Sequence, residues 1–509
     1  MRRFLPQQYH FEAFLSSTKL LPMAALTGLI GGLVGAAYVT AMNALSQLLF
    51  PAPWAATLPQ LVKTPFNTTI TWSNEAHWLI LVGAGLLTAV AVKLIGDPGD
   101  TELLVDNIHV HGGAPAEDIR QLKSLIPISL VNIAVGSGIG PEAPLSQTNG
   151  TIGSWLSHRW HISQDETRIL TITGMAAGFT VLFAAPFGAS VFAMELLHRK
   201  SLRYFEVLLP ALTGTIVGYI VYTALTTLGL RPVWDIGSVL HVPNDLVLAD
   251  FGWAIAAGIA GALIAAAFTY LVVLTRWMFR PIPALAKPVV TGVALGALAF
   301  ASPYALTFAE LQLTHLALLD KVAIATLGLA VVVKLVAAAL SMAGGWKGGF
   351  IIPMFFCGYC LGRAGSEFLP GHPNGVVLAV CLMVAINVGV TKTPLGSTLV
   401  VTEMVGMRLL PTALISGLLS FFLTSNVYLI ESQQLREGIH GEELGSPHAL
   451  TADEMGMENV RTDEHRPDTD GPDTDGPDTD GSDTSRPGAP AGTAADGSGH
   501  SDARGTRLR

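Results

Sequence analysis

Charged side chains are scarce in this sequence. Asp, Glu, Lys and Arg make up 13% of its 509 residues, whereas a soluble globular chain has about 25%. All four residue types are absent from six runs, 20–62, 124–141, 169–194, 251–275, 368–391 and 409–430. A helix needs about 20 apolar residues to cross a bilayer, and the longest of these runs exceed that length. The deficit excludes a soluble globular protein and predicts an all-α polytopic protein of the cell membrane, with the lipid bilayer as a partner.

Groups that carry chemistry are also few. The three cysteines, Cys357, Cys360 and Cys381, lie in apolar segments and give no basis for a disulfide framework. Cys357 and Cys360 have CxxC spacing, but without further ligand residues they are interpreted as packing residues. An intramembrane enzyme would need a nucleophile with a base, or a metal cluster, in the apolar segments, and the histidines lie mostly in polar stretches. We therefore expect no enzymatic activity, no metal, no cofactor and no nucleic-acid partner.

The composition changes near the C-terminus. From Thr451 onward the chain is rich in Asp, Gly, Pro, Thr and Ser, and the unit Pro-Asp-Thr-Asp-Gly occurs three times, starting at Pro467. This part has 14 acidic and six basic side chains, so it accounts for eight of the nine net negative charges. Charge of one sign with little hydrophobicity cannot form a core. We predict a disordered acidic cytoplasmic tail over 451–509 and a membrane domain over 1–450.

Two motifs rich in Gly and Pro occur twice, in the same order. In the first half, 140–144 is Gly-Pro-Glu-Ala-Pro and Gly153 follows nine residues after its last proline; in the second half, 348–353 ends in a proline and Gly362 follows after the same interval. The other motif has a glutamate nine residues after its proline, at Pro186 to Glu195 and again at Pro394 to Glu403. The pattern predicts a duplicated fold, with halves at roughly 20–230 and 250–435, and broken or re-entrant helices that meet around an ion site.

The first motif of each half indicates a site for an anion. A Gly/Pro-rich segment that enters an apolar helix leaves main-chain N–H groups unpaired at the positive end of the helix dipole. The predicted helix starts lie near Glu142 and Phe350. The alternative is that the breaks only allow kinks and close packing.

Glu142 ends a charge-free run inside one of these helix starts. An ionisable group within a membrane segment is costly and is treated as functional. Its carboxylate can occupy the place of an anion, and protonation would release that place. The alternative is an exposed glutamate at the membrane interface.

Residues 138–147, Gly-Ile-Gly-Pro-Glu-Ala-Pro-Leu-Ser-Gln, resemble a signature of the CLC family of chloride channels and transporters, and 348–353 resembles its second signature. The helices expected at 185–195 and 393–403 also resemble those of the family, over a matched region of about 20–435. The resemblance implies a CLC-like inverted-repeat fold, transport of chloride or other small inorganic anions, and a homodimer. The tail is too short for the paired CBS domains that many members carry.

The resemblance also implies roles for individual residues. Glu142 would be the external gating and proton-carrying glutamate, and the Tyr428 hydroxyl would donate to the central anion, although a tyrosine here is also typical of an interfacial belt. Glu195 and Glu403 are interpreted as structural. The implied anion-binding residues are Phe350, Ile351, Tyr428, Pro98, Gly140 and Pro141.

Three departures from the family pattern bear on selectivity and coupling. Pro98 stands where the family has an anion-coordinating serine, which puts the preference for chloride over nitrate in doubt. Leu196 stands where coupled exchangers commonly have a proton-accepting glutamate. It favours a passive channel, with a proton-coupled exchanger as the alternative. Lys347 replaces a small residue and either steers anions or extends to the membrane interface.

Overall fold

The computed structural model describes residues 8–49, 69–99, 101–198, 205–225, 237, 240–307, 309, 312–313, 316–317, 319, 322–430 and 433. The chain divides into two units, Met1–Glu442 and Glu443–Arg509. The second unit lies outside the described residues, so the disordered tail over 451–509 stays a prediction.

The described residues form fifteen α-helices and no β-strand, with four short 3-10 turns between them. In chain order the helices are α1 (Gln8–Leu49), α2 (Thr69–Ile95), α3 (Thr101–His111), α4 (Leu122–Ala134), α5 (Glu142–Trp160), α6 (Gln164–Phe183), α7 (Pro186–Glu195), α8 (Leu208–Leu225), α9 (Leu248–Phe279), α10 (Lys287–Ala301), α11 (Ile324–Ala343), α12 (Ile351–Phe368), α13 (Gly375–Thr391), α14 (Pro394–Val405) and α15 (Leu410–Leu423). The all-α prediction is confirmed.

Five of the described helices are long and apolar enough to cross a membrane. They contain Leu20–Ser46, Trp78–Ile95, Leu208–Leu225, Leu248–Phe279 and Ile324–Ala343, and several other apolar helices are shorter. Large apolar side chains on them face outward, for example Leu94 at 77% and Leu263 at 68% exposure. Such side chains are stable only if lipid or another apolar surface covers them. The multi-pass membrane prediction is confirmed.

The predicted helix breaks lie at the same positions in both halves. The charge-free run 169–194 is not one span but parts of two helices, α6 and α7, separated by Ala184 in the left-handed region (φ 47°). In the second half Lys392 (φ 63°) separates α13 from α14 in the same way. Both breaks come directly before an X-Pro pair, in which the residue preceding proline is excluded from the helical region. Proline then occupies the first helical position of α7 and α14.

The helix packing repeats between the halves. Helix α1 packs on α6 and α8, and its counterpart α9 packs on α13 and α15. Helix α5 packs on α6 as α12 packs on α13. The halves contact each other through α2 with α10 and through α7 with α14. The predicted duplication is therefore present in the tertiary structure.

Two glutamates join the halves by capping each other's helices. Glu195, at the end of α7, accepts hydrogen bonds from the N–H groups of Leu395 and Gly396 in the first turn of α14, at 3.2 and 2.6 Å. Glu403, near the end of α14, accepts from the N–H of Gly188 in the first turn of α7 at 2.9 Å. Each carboxylate thus lies at the positive end of the other helix's dipole. The two helices run antiparallel, as an inverted repeat requires, and the contacts favour the structural interpretation of both glutamates.

Glycines let the helix backbones touch. A Cβ on Gly188 would lie 2.5 Å from the nitrogen of Val400, and one on Gly396 would lie 2.3 Å from the Cα of Phe192. The glycines that follow the first motif of each half have the same purpose, because a Cβ on Gly153 or Gly362 would meet the backbone of α6 or α13 at 2.3 or 2.2 Å. The recurring nine-residue spacing therefore reflects helix packing.

We expect Gly396→Ala to lower the free energy of unfolding by about 1–3 kcal/mol, because the added methyl overpacks a backbone contact. Gly328→Ala is the matched control: it lies inside α11, where a Cβ would meet nothing within 4 Å. There, removing glycine from a helix is neutral or stabilises by up to about 1 kcal/mol. Thermal denaturation of the purified protein in detergent measures both. Equal midpoints for the two variants would contradict the close contact.

Candidate anion site

The first motifs of the two halves meet through their backbones. The N–H of Gly140 donates to the carbonyl of Gly349 at 2.7 Å, and the N–H of Gly349 donates to the carbonyl of Gly140 at 2.6 Å. This isolated antiparallel bridge brings the starts of α5 and α12 side by side. Pro141, which has no N–H, is the residue that precedes α5. The predicted helix starts near Glu142 and Phe350 are confirmed.

The carboxylate of Glu142 lies at the start of the opposite helix. Its Oε1 accepts a hydrogen bond from the N–H of Ile352 at 2.5 Å, and the backbone of Ile351 also contacts the carboxylate. Its Oε2 has no hydrogen-bond partner, and the residue is fully buried. An exposed interfacial glutamate does not fit this burial. The Glu142 carboxyl group therefore lies at the first amides of α12, where a helix start attracts anions.

A cavity of about 100 Å³, here called the central cavity, is lined by Ala143, the residue after Glu142, and by the start of α12. Phe350 and Ile351, two of the predicted anion-binding residues, line it. The rest of the lining consists of Glu102, Ala143, Ser146, Phe179, Leu196, Arg276, Met342, Gly348, Gly349, Thr391, Leu429 and Ile430. The walls are mostly apolar, with main-chain groups and few charges, which suits an ion that must be bound weakly enough to leave.

A second cavity of about 100 Å³, here called the vestibule, shares Ala143, Arg276, Met342 and Gly348 with the first. Two basic residues line it, Arg276 and Lys347. The Lys347 ammonium lies 2.8 Å from Asp97, and the Arg276 guanidinium lies 3.9 Å from Glu102. Both cations are thus close to a carboxylate, and the two interpretations of Lys347 remain predictions.

The remaining predicted residues lie around these cavities. Pro98 is buried and its carbonyl accepts a 3.4 Å hydrogen bond from Gln147, while its neighbour Gly99 lines the vestibule. Tyr428 is half-buried directly before Leu429 and Ile430, which line the central cavity. The anion-binding roles of Pro98, Tyr428, Gly140 and Pro141 remain predictions.

Two polar side chains near the central cavity escaped the sequence analysis. The Lys392 ammonium donates to the carbonyls of Gly389 and Thr424 and to the Thr424 hydroxyl at 2.5, 2.6 and 2.8 Å. The Gln433 amide donates to the carbonyls of Leu196 and Thr391, both at 2.8 Å. A signal existed for the first, because Lys392 is the sole charged residue between Glu367 and Glu403.

Residues 84–425 match a protein family described as voltage gated chloride channel. The chain belongs to this CLC family. A chloride/fluoride channel protein of Pseudomonas syringae pv. tomato is 25% identical over 90% of this chain and 93% of its own length. An H(+)/Cl(-) exchange transporter, ClcA, of Citrobacter koseri is 25% identical over 76% of this chain and 80% of its own.

Solved structures show the same fold. A slow cyanobacterial Cl-/H+ antiporter has a TM-score of 0.66 at 21% identity, covering 80% of this chain and 94% of that one. A CLC-type fluoride/proton antiporter has a TM-score of 0.67 at 20% identity, covering 82% of this chain and 98% of that one. The CLC-like fold predicted from the two motifs is confirmed, and so is membership of a family that transports anions.

We expect Gly140→Ala to open the Ile352 amide to anions. A Cβ at this position would lie 2.2 Å from Oε2 and 2.8 Å from Cδ of Glu142, so the carboxylate has to move away. Chloride binding at neutral pH, measured by isothermal titration calorimetry, should tighten several-fold in Gly140→Ala, as it should in Glu142→Gln. Gly83→Ala, where a Cβ meets nothing within 4 Å, is the control. Unchanged binding in Gly140→Ala would contradict competition between the carboxylate and the anion.

Proposed function

We propose that this protein is a passive channel of the cell membrane for chloride and other small monovalent anions, gated by Glu142. The observation that carries the proposal is the 2.5 Å hydrogen bond between the Glu142 carboxylate and the Ile352 amide, beside the central cavity. A carboxylate and a chloride ion seek the same main-chain N–H groups. The side chain therefore acts as a tethered anion that blocks the site.

Protonation of Glu142 would release the block. A neutral carboxyl group has a much weaker attraction to the positive end of α12 than a carboxylate has. An anion arriving at the central cavity would then replace it at the Ile351 and Ile352 amides. The proposed site has no fixed cation in direct contact with the ion, so the ion is bound weakly enough to leave.

The lining of the central cavity supports passive transport. Leu196, at the end of α7, lines it with an aliphatic side chain that cannot carry a proton. A strictly coupled exchanger has to move protons between Glu142 and the opposite side of the membrane. Leu196 interrupts one such route.

Proton-coupled exchange on the same fold is the second candidate. Glu102 favours it, because this carboxylate lines the central cavity, is 30% exposed and lies 3.9 Å from Arg276. Solvent-accessible carboxylates can pass protons. Relatives of both kinds exist, since the names of the similar proteins include a channel and exchange transporters.

The substrate range is proposed to include fluoride and nitrate besides chloride. The Pseudomonas syringae relative is named for chloride and fluoride. Pro98 offers neither a hydroxyl nor an N–H to favour chloride, and the amides at the start of α12 select for charge and size. As in the family, a homodimer is proposed.

The deciding measurement is flux from liposomes that contain the purified full-length protein, with chloride and pH electrodes reading together under a chloride gradient. We expect chloride efflux without stoichiometric proton movement. Glu142→Gln should raise efflux at neutral pH several-fold and remove its pH dependence, because the neutral amide cannot block the site as a carboxylate does. Glu195→Gln is the matched control: that carboxylate also caps a helix start, but the amides it binds, those of Leu395 and Gly396, belong to residues that do not line the central cavity.

Protons driven uphill by chloride would establish the exchanger instead. In that case Glu102→Gln should slow proton movement more than chloride movement. Folded protein that carries none of chloride, nitrate and fluoride would overturn both candidates.

A further inference from the structure

The residue that separates the two helices at the break before proline is not the same in the two halves of the fold. Ala184 ends α6 and Lys392 ends α13, both in the left-handed region and both two residues before a proline. Both positions require a left-handed backbone conformation, and an alanine adopts it in the first half. The lysine in the second half therefore needs another reason.

Burial of the Lys392 side chain costs free energy. The residue is 2% exposed, and none of the ion pairs found among the described residues includes it. Its three contacts are the carbonyls of Gly389 and Thr424 and the Thr424 hydroxyl, all neutral acceptors. The contacts match the charged form: the Thr424 hydroxyl donates its own proton to the carbonyl of Ser420 and so accepts from Lys392, which gives three acceptors for the three N–H groups of an ammonium, whereas a neutral amine has two. In a medium of low dielectric this charge acts over a long distance.

The main chain of Lys392 adjoins the wall of the central cavity. Lys392 follows Thr391, which lines the cavity, and it binds carbonyls at the ends of α13 and α15. Helix ends present carbonyls and negative partial charge, which repel an anion. Gln433 covers two further carbonyls nearby, those of Leu196 and Thr391, with a neutral amide. A neutral side chain such as Gln433 is thus enough to donate hydrogen bonds to these carbonyls. Lys392 differs from it by adding a net positive charge.

We propose that Lys392 is a fixed positive charge that attracts anions into the part of the central cavity lined by Leu196 and Thr391. This rests on the proposed function and names the residue that sets the anion's affinity there. All three N–H groups of the ammonium are already used by protein acceptors. Lys392 therefore acts through its field and does not ligate the ion, which keeps the ion exchangeable.

Three substitutions separate charge from hydrogen bonding. Lys392→Arg keeps the charge, Lys392→Gln keeps a donor for the carbonyls without the charge, and Lys392→Met removes both. We expect the chloride dissociation constant, from calorimetry on the full-length protein, to rise about tenfold in the Gln and Met variants, as suits the loss of a nearby unit charge. The Arg variant should stay within about twofold of the wild type. Chloride efflux from liposomes at low chloride should follow the same order.

Lys334→Met is the matched control. Lys334 is another buried lysine held by neutral acceptors, the carbonyls of Leu306 and Thr307 and the amide oxygen of Gln312. Unlike Lys392, it has no chain neighbour that lines the central cavity. Its loss should leave chloride affinity near the wild-type value. Wild-type chloride affinity in a folded Lys392→Gln variant would mean that Lys392 only donates hydrogen bonds to carbonyls, and it would overturn the inference.

A second pair of variants tests the inference if the Lys392 variants do not fold. Thr424→Asp places a carboxylate next to the ammonium, whose contact to the Thr424 hydroxyl is 2.8 Å, and neutralises it without removing the lysine. It should weaken chloride binding as much as Lys392→Gln does, whereas Thr424→Val should not; equal affinities in this pair would overturn the inference. Chloride binding by a wild type that shows no flux would refute the proposed function and still test Lys392. No binding of any anion would refute both.

Discussion

Two hydrogen bonds between the backbones of Gly140 and Gly349 hold the starts of α5 and α12 together, and the candidate site depends on this contact. It places the first amides of α12 next to the first side chain of α5. The pairing leaves no room for a Cβ, because one on Gly349 would approach the Glu142 carboxylate to 2.8 Å. The two glycines therefore fix both the distance between the two helix starts and the position of the Glu142 carboxylate.

The electrostatics of the site follow from this arrangement. Helix starts supply partial positive charge where Glu142 or an anion can lie. Elsewhere around the central cavity, helix ends present carbonyls, and N–H donors from Lys392 and Gln433 cover them. The central cavity is thus low in charge and mostly apolar, and under the proposed function main-chain dipoles and the Lys392 ammonium provide its positive potential.

Much of this could be predicted from local sequence. The breaks before Pro186 and Pro394, the helix starts at Glu142 and Ile351, and the burial of Glu142 follow from Gly and Pro placement and from charge-free runs, all of which act over a few residues. The contact between Glu142 and the Ile352 amide joins residues 210 positions apart, and only the internal repeat hinted at it. The capping of carbonyls by Lys392 and Gln433 could not be predicted, because a main-chain carbonyl leaves no trace in residue identity. The role of Tyr428 stays a prediction for a similar reason: its position depends on how the chain continues after α15.

The reciprocal caps of Glu195 and Glu403 also bear on how the protein is made. During synthesis the chain enters the membrane from its N-terminus. The carboxylate of Glu195 is therefore complete 200 residues before the amide of Leu395 that binds it. Until then the first half carries an unmatched acidic group at the end of α7 and an uncapped start of the same helix. The first half cannot reach its final arrangement alone, and biogenesis has to tolerate this unfinished intermediate until α14 is inserted.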